Sequence, residues 1–220
     1  MMLKGMTAQY LLRQTYTVQP GDTILIHAAA GGVGLIAGQW AKHLGATVIG
    51  TVGSKEKADL ARANGCHHVI NYREEDFVER VQELTGGRGA DVIYDPVGGD
   101  IAIDALKALA WHGRYLVIGF ASGPIPQIPL NLALLKGCSL VGVFWGRFTG
   151  EEPERNLQNI RELTERGLAF PCSCSRKDIE DHLGERPLVV AHEAGLGNDP
   201  PLPRLLDQPH DRQTPAEIHI

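Results

Sequence analysis

Ala29-Ala30-Gly31-Gly32-Val33-Gly34 has the spacing of a dinucleotide-binding fingerprint, with alanine in the first glycine slot. An apolar run, Thr23-Ile24-Leu25-Ile26-His27, comes immediately before it, and a helix-forming stretch opens inside it. The chemistry this arrangement serves is the binding of a pyrophosphate. A Cβ at Gly31 or Gly32 would stand between the anion and the backbone, and Gly34 lets the helix close on the preceding strand. The helix N-terminus then offers unpaired N–H donors and the positive end of its dipole. The alternative is a tight strand-to-helix turn without a ligand, but so many small residues in succession cost backbone entropy without improving packing.

The end of the next apolar run selects the nucleotide. A site for unphosphorylated nicotinamide dinucleotide places Asp or Glu there to bond the ribose 2′-hydroxyl. This chain has Gly50-Thr51-Val52-Gly53-Ser54, followed by Lys55 and Lys57. The missing carboxylate removes a repulsion, and a lysine offers charge to a 2′-phosphate. The pattern points to NADPH. Lys55 reads as a solvated charge in the first turn of a surface helix. Lys57 reads as a phosphate ligand, with a solvated charge as the alternative.

Other chemistries find little support. Cys66, His67 and His68 are adjacent, and neighbours on a strand point to opposite faces, so they do not form a three-ligand zinc site. Cys138 opens an apolar run and reads as a core thiol. No G-x-S-x-G elbow is present. Asp91 and Asp95 share a strand face, but we read that strand as lying towards a sheet edge, not lining a two-carboxylate cleft. No catalytic side chain and no metal ligand is assigned.

These residues require a scaffold that presents strand ends and helix starts on one side. The pattern predicts strands at 23–27, 47–51, 68–70, 91–95, 114–119 and 139–144. It predicts helices at 7–14, 33–44, 55–63, 76–84, 100–110, 130–136 and 153–166. Strand–helix alternation with short connections defines an α/β fold: a Rossmann-type doubly wound parallel sheet. We expect a nucleotide-binding domain over residues 1–166. Residues 167–220 are expected to form an irregular, poorly ordered tail, since residues 187–220 hold six prolines and no sustained period. The formal charge of −5, from 21 Lys+Arg against 26 Asp+Glu, argues against a nucleic-acid binder. No apolar run is long enough for a membrane span. The first residues lack the layout of a signal peptide, so a cytoplasmic location is expected.

The chain resembles the zeta-crystallin-like quinone oxidoreductases of the medium-chain dehydrogenase/reductase superfamily. The matching stretches are Leu3-Lys4-Gly5-Met6-Thr7-Ala8, His27 to Gly34, Gln39-Trp40-Ala41-Lys42, Gly50 to Ser54, Val69 to Phe77 and Asp95-Pro96-Val97-Gly98-Gly99. The resemblance implies zinc-independent hydride transfer from NADPH to a quinone or similar enone. It further implies that Gly53, Lys57 and Tyr72 hold the adenosine 2′-phosphate. Ala30, Gly32 and Val33 would touch the pyrophosphate and ribose, while Val97, Gly119 and Phe120 would border the ribose and nicotinamide. For Tyr72 and Phe120 the alternatives are a strand-end tyrosine and a core cap.

Members of that family carry an N-terminal barrel-like domain that supplies much of the substrate cleft, and this chain is expected to begin after it. Two readings therefore stay open: the cofactor-binding part of a reductase, and a non-catalytic nucleotide-binding or regulatory module from a truncated reductase. The apolar strand 139–144 is expected at a sheet edge, where a homodimer would form. Residues 167–178, with Cys172 and Cys174, also resemble a short segment of glutamyl-Q tRNA(Asp) synthetases, but the nucleotide-binding signatures of that family are absent.

Overall fold

The computed structural model describes the backbone of residues 2–165 and the side chains of residues 3–161. The expected tail, with Cys172 and Cys174, lies outside the described residues. The chain divides into two compact units, residues 1–151 and 152–220.

The first unit is built on a six-stranded parallel sheet in the order β3-β2-β1-β4-β5-β6. The strands are β1 (Thr23–Ile26), β2 (Thr47–Val52), β3 (His68–Asn71), β4 (Ala90–Asp95), β5 (Leu109–Val117) and β6 (Ser139–Gly142). The helices between them are α2 (Gly32–His43), α3 (Lys55–Ala63), α4 (Phe77–Leu84), α5 (Ile101–Ala108) and α6 (Leu130–Lys136). Every residue of β1 is buried, which is why Thr23-Ile24-Leu25-Ile26 reads as a continuous apolar run without alternation. One layer of the core joins Leu25, Ile49, Ile70 and Ile93 of the sheet to Phe77, Val81, Ala102 and Leu106 of α4 and α5. This is the doubly wound fold expected. The chain reverses direction across the sheet between β1 and β4, and ligands of such folds bind in the crevice outside the carboxyl ends of the strands at that point.

Four local features differ from the sequence expectation. The first helix, α1, spans Met2–Gln9, not 7–14, and continues as a π-helical segment, Tyr10–Thr15. Packing moves it, because Met6, Ala8, Leu11 and Leu12 are all buried. Helix α5 ends at Ala108 because Leu109 is drawn into β5 opposite Ala90, through a register irregularity in the β4–β5 pair. Tertiary pairing there overrides the helix propensity of Leu109 and Ala110. A short helix α7, Trp145–Glu151, follows β6 and was not expected. Asp91 and Asp95 lie on β4, in the interior of the sheet between β1 and β5, not near an edge. Asp91 pairs with Arg88 and accepts a 2.7 Å hydrogen bond from Thr23 N, so it locks the start of β1. The second unit's described part is α8, Pro153–Glu165, in which proline occupies the first helical position.

Candidate functional site

The strand order aligns the carboxyl ends of β1, β2 and β4. His27 N donates to Tyr94 O at 3.0 Å and Ala29 N to Thr51 O at 3.1 Å, so the glycine loop is stapled to both neighbouring strands. Gly31 N donates to Ala28 O at 2.8 Å across a turn in which Ala28 adopts φ 54°. A Cβ on Gly34 would lie 2.7 Å from the carbonyl oxygens of Ala28 and Ala29. That is the close helix-to-loop approach the third glycine was expected to permit. The structure adds to the expectation at the other two. A Cβ on Gly31 would stand 3.0 Å from Ala28 O, and one on Gly32 would stand 2.7 Å from the side-chain end of Lys4. The protein itself therefore constrains both positions.

Helix N-termini around the crevice are treated differently. Ser54 caps α3 by accepting from Lys57 N, and Asp76 caps α4 by accepting from Val78 N and Glu79 N. Helix α2 has Gly31 at its N-cap, with no side-chain cap and no acidic residue in its first turn. A helix start without a side-chain cap or a first-turn acid leaves N–H donors available to an anion.

A pocket of about 420 Å³ opens beside this terminus. Of the expected site residues, Ala30, Gly31, Gly53, Lys57, Tyr72 and Val97 line it. Gly32, Val33 and Gly34 belong to the adjoining first turn of α2. Gly119 and Phe120 lie farther along, in the loop after β5, where Ala121 N donates to Pro96 O and Ser122 N to Val97 O. Phe120 is 40% exposed and so is not a buried core cap. The pairing of Val52 with Asn71 brings Gly53 beside Tyr72. A Cβ on Gly53 would meet Tyr72 Oη at 2.6 Å, so glycine makes room for the ring. Lys57 is exposed on the first turn of α3 at the same corner. No Asp or Glu lines this pocket, and Thr51, Val52 and Gly53 stand where a ribose-binding acid would be.

Sequence reasoning missed several pocket residues. His27, Thr51, Phe77, Ile101 and Ser122 also line it. Phe77 and Ile101 open α4 and α5, and nothing in their local sequence marks them. Arg73 lies near the Gly53 corner, its Nε 3.5 Å from where a Gly53 Cβ would be. A basic residue directly after Tyr72 was the available signal.

Beneath the pocket is a buried polar cluster. His27 Nδ1 and Thr51 Oγ1 are 2.8 Å apart, and His27 Nε2 is buried without a protein partner. Burial lowers the His27 pKa to about 4, against a smaller opposing effect of Asp95, so the ring is neutral near pH 7. Asp95 is buried. One of its carboxylate oxygens accepts from Val97 N at 2.7 Å and Gly98 N at 2.9 Å; the other accepts the Tyr115 hydroxyl. Burial and this carboxylate together push the Tyr115 hydroxyl far above its usual range. Asp95 thus shapes the loop that carries Val97.

Among the described residues no group of three or more His, Cys, Asp or Glu side chains is placed to hold a metal. Cys66 is buried, and burial raises its thiol to about 11. His67 Nδ1 instead accepts from Val48 N at 3.0 Å.

The fold and this site define a dinucleotide-binding α/β domain. The profile of the zinc-binding dehydrogenase family matches residues 32–164, and the chain belongs to that family. It is 59% identical to 2-haloacrylate reductase of Burkholderia sp over 123 residues, 56% of this chain and 37% of that protein. It is 51% identical to quinone oxidoreductase 1 of Escherichia coli over 135 residues, 61% of this chain and 41% of that protein. Among solved structures, Escherichia coli quinone oxidoreductase complexed with NADPH superposes with a TM-score of 0.67 at 41% identity, covering 77% of this chain and 54% of that one. The chain spans about half the length, or less, of these relatives.

Proposed function

We propose that this chain is the NADPH-binding part of a zinc-independent reductase that passes hydride to a quinone or similar enone in the cytoplasm. The observation that carries the reading is the corner formed by Gly53, Lys57 and Tyr72, basic and without a carboxylate, beside an uncapped helix N-terminus. The residues fit the cofactor. Gly34 lets α2 close on the loop that precedes it, Gly53 makes room for Tyr72, and Lys57 with Arg73 would neutralise a 2′-phosphate. The loop cluster of Val97, Gly119 and Phe120 would border the ribose and nicotinamide, and Ala30, Gly32 and Val33 the pyrophosphate. All of these contacts fall within residues 1–166. NADPH, when bound, supplies the hydride, and the protein's part is to hold and orient it. Similarity to quinone oxidoreductases, one of them solved with NADPH, supports the reading.

Titration of the full 220-residue chain with NADPH and NADH, followed by nucleotide fluorescence, tests it. NADPH is expected to bind more tightly, and Lys57→Ala to weaken NADPH about 10-fold while leaving NADH nearly unchanged. Failure of both nucleotides to bind below millimolar concentration overturns the assignment.

A further inference from the structure

One wall of the pocket draws on two loops, the one after β4 and the one after β5. Backbone and side chain join them: Ala121 N donates to Pro96 O at 3.0 Å, Ser122 N to Val97 O at 3.0 Å, and Ser122 Oγ to the same carbonyl at 2.9 Å. Both loops are anchored at Asp95, the last residue of β4, which is 1% exposed. Its carbonyl oxygen accepts from Ile118 N at 2.9 Å and Gly119 N at 3.4 Å, where the second loop leaves β5. One carboxylate oxygen turns back on the first loop and accepts from Val97 N at 2.7 Å and Gly98 N at 2.9 Å. The other accepts the hydroxyl of Tyr115 on β5.

Among the described residues no cation pairs with this buried carboxylate. Its desolvation is offset by the donors that converge on it, a demand that an acceptor-only group meets in full and an amide in part. An apolar side chain of similar size would fill the same space without that desolvation. What the carboxylate adds is loop geometry. It holds the N–H groups of Val97 and Gly98 just where the chain enters φ 64° at Gly98 and 66° at Gly99. A Cβ on Gly98 would stand 2.7 Å from Phe120 Cδ1, so this bend is where the two loops close on each other. Asp95 does not line the pocket; Val97 and Ser122, one from each loop, do.

We propose that Asp95 is a positioning residue that fixes the two loops as one wall against the nicotinamide half of the dinucleotide. The proposal rests on the NADPH-binding reading above. None of these bonds reaches the 2′-phosphate corner, whose residues follow β2 and β3. The two ends of the cofactor therefore depend on separate groups: Lys57 and Tyr72 at one, Asp95 acting through its loops at the other.

The test uses full-length protein with Asp95→Ala, Asp95→Asn and Gly98→Ala, titrated with NADPH, NADH and adenosine 2′-monophosphate, which has no nicotinamide. Asp95→Ala is expected to weaken NADPH and NADH by the same factor, about 10-fold, and to leave adenosine 2′-monophosphate within about 2-fold. A general loosening of the fold would instead weaken all three ligands. Asp95→Asn keeps an oxygen for Val97 N and Gly98 N and should recover most of the loss. Gly98→Ala disturbs the same loop without altering the carboxylate, and should show the same selective loss even where Asp95→Ala does not fold. Unchanged dinucleotide binding in Asp95→Ala or Gly98→Ala, equal loss of adenosine 2′-monophosphate, or an Asp95→Asn variant no better than Asp95→Ala overturns the role of Asp95 while leaving the cofactor assignment standing. Wild-type protein that binds neither dinucleotide overturns both.

Discussion

Replacing Gly53 by alanine places a methyl group 2.6 Å from Tyr72 Oη, 3.0 Å from its Cζ and 3.5 Å from Arg73 Nε. An ordinary carbon–oxygen contact is about 3.4 Å, so the hydroxyl must retreat by roughly 0.8 Å. Every neighbour here is a side-chain atom, and Tyr72 is 50% exposed, so the ring can turn outward. The cost to folding is then that of a distorted rotamer, about 1 kcal/mol, or a fall of about 2–4 °C in Tm for a chain of this size. The cost to the proposed phosphate corner is larger, because Tyr72 leaves the pocket wall it shares with Lys57. Losing one hydrogen bond to a charged group is worth about 1.5–3 kcal/mol, which is about 10-fold or more in Kd. Gly53→Ala should therefore lower NADPH affinity at least about 10-fold, change NADH affinity by less than about 3-fold, and leave the melting profile cooperative. Combining it with Tyr72→Ala should add little further loss, since both changes remove one contact. Thermal melting together with fluorescence titration measures all of these. Equal losses for the two nucleotides, or strictly additive losses in the double variant, would refute the reasoning that glycine is there to seat the tyrosine.

Two further predictions concern stability and assembly. With His27 held neutral by burial at a pKa of about 4, the unfolded chain gains a proton below pH 6.5 that the folded chain refuses. That contribution is intact above about pH 6.5 and is lost as pH falls toward 4, by up to about 3 kcal/mol. Urea unfolding at pH 7.5 and pH 4.5 should show a smaller acid loss in His27→Gln than in wild type, and identical losses would discount the histidine. Strand β6 ends the sheet, and Phe144 just beyond it is 72% exposed, as are Leu134 at 79% and Leu130 at 77% on α6. We propose that this edge, residues 139–144, pairs two copies of the chain. Light scattering should report a dimer that Phe144→Glu converts to monomer, whereas a monomeric wild type removes the proposal.

Much of this protein is written locally. The apolar run 23–27 is a strand because it is apolar on both faces, and 31–34 turns into a helix because small residues allow the approach. Ser54 caps a helix within three residues of itself. The missing acid at the end of β2 is equally local, and the proposed cofactor preference rests on it. What the sequence could not contain is which strands lie side by side. The β3-β2-β1-β4 order sets Ile26 opposite Gly50 and Tyr94, and so sets His27 beside Thr51 and Asp95, residues 24 and 68 positions away. It likewise placed Asp95 inside the sheet, not near its edge, and drew Phe77 and Ile101 into one pocket wall. Lys4 met Gly32 only when α1 packed on α2. Periodicity and turn chemistry act over a few residues and can be read along the chain. Pairing register and helix packing act across loops, and become fixed only when the buried faces close on one another.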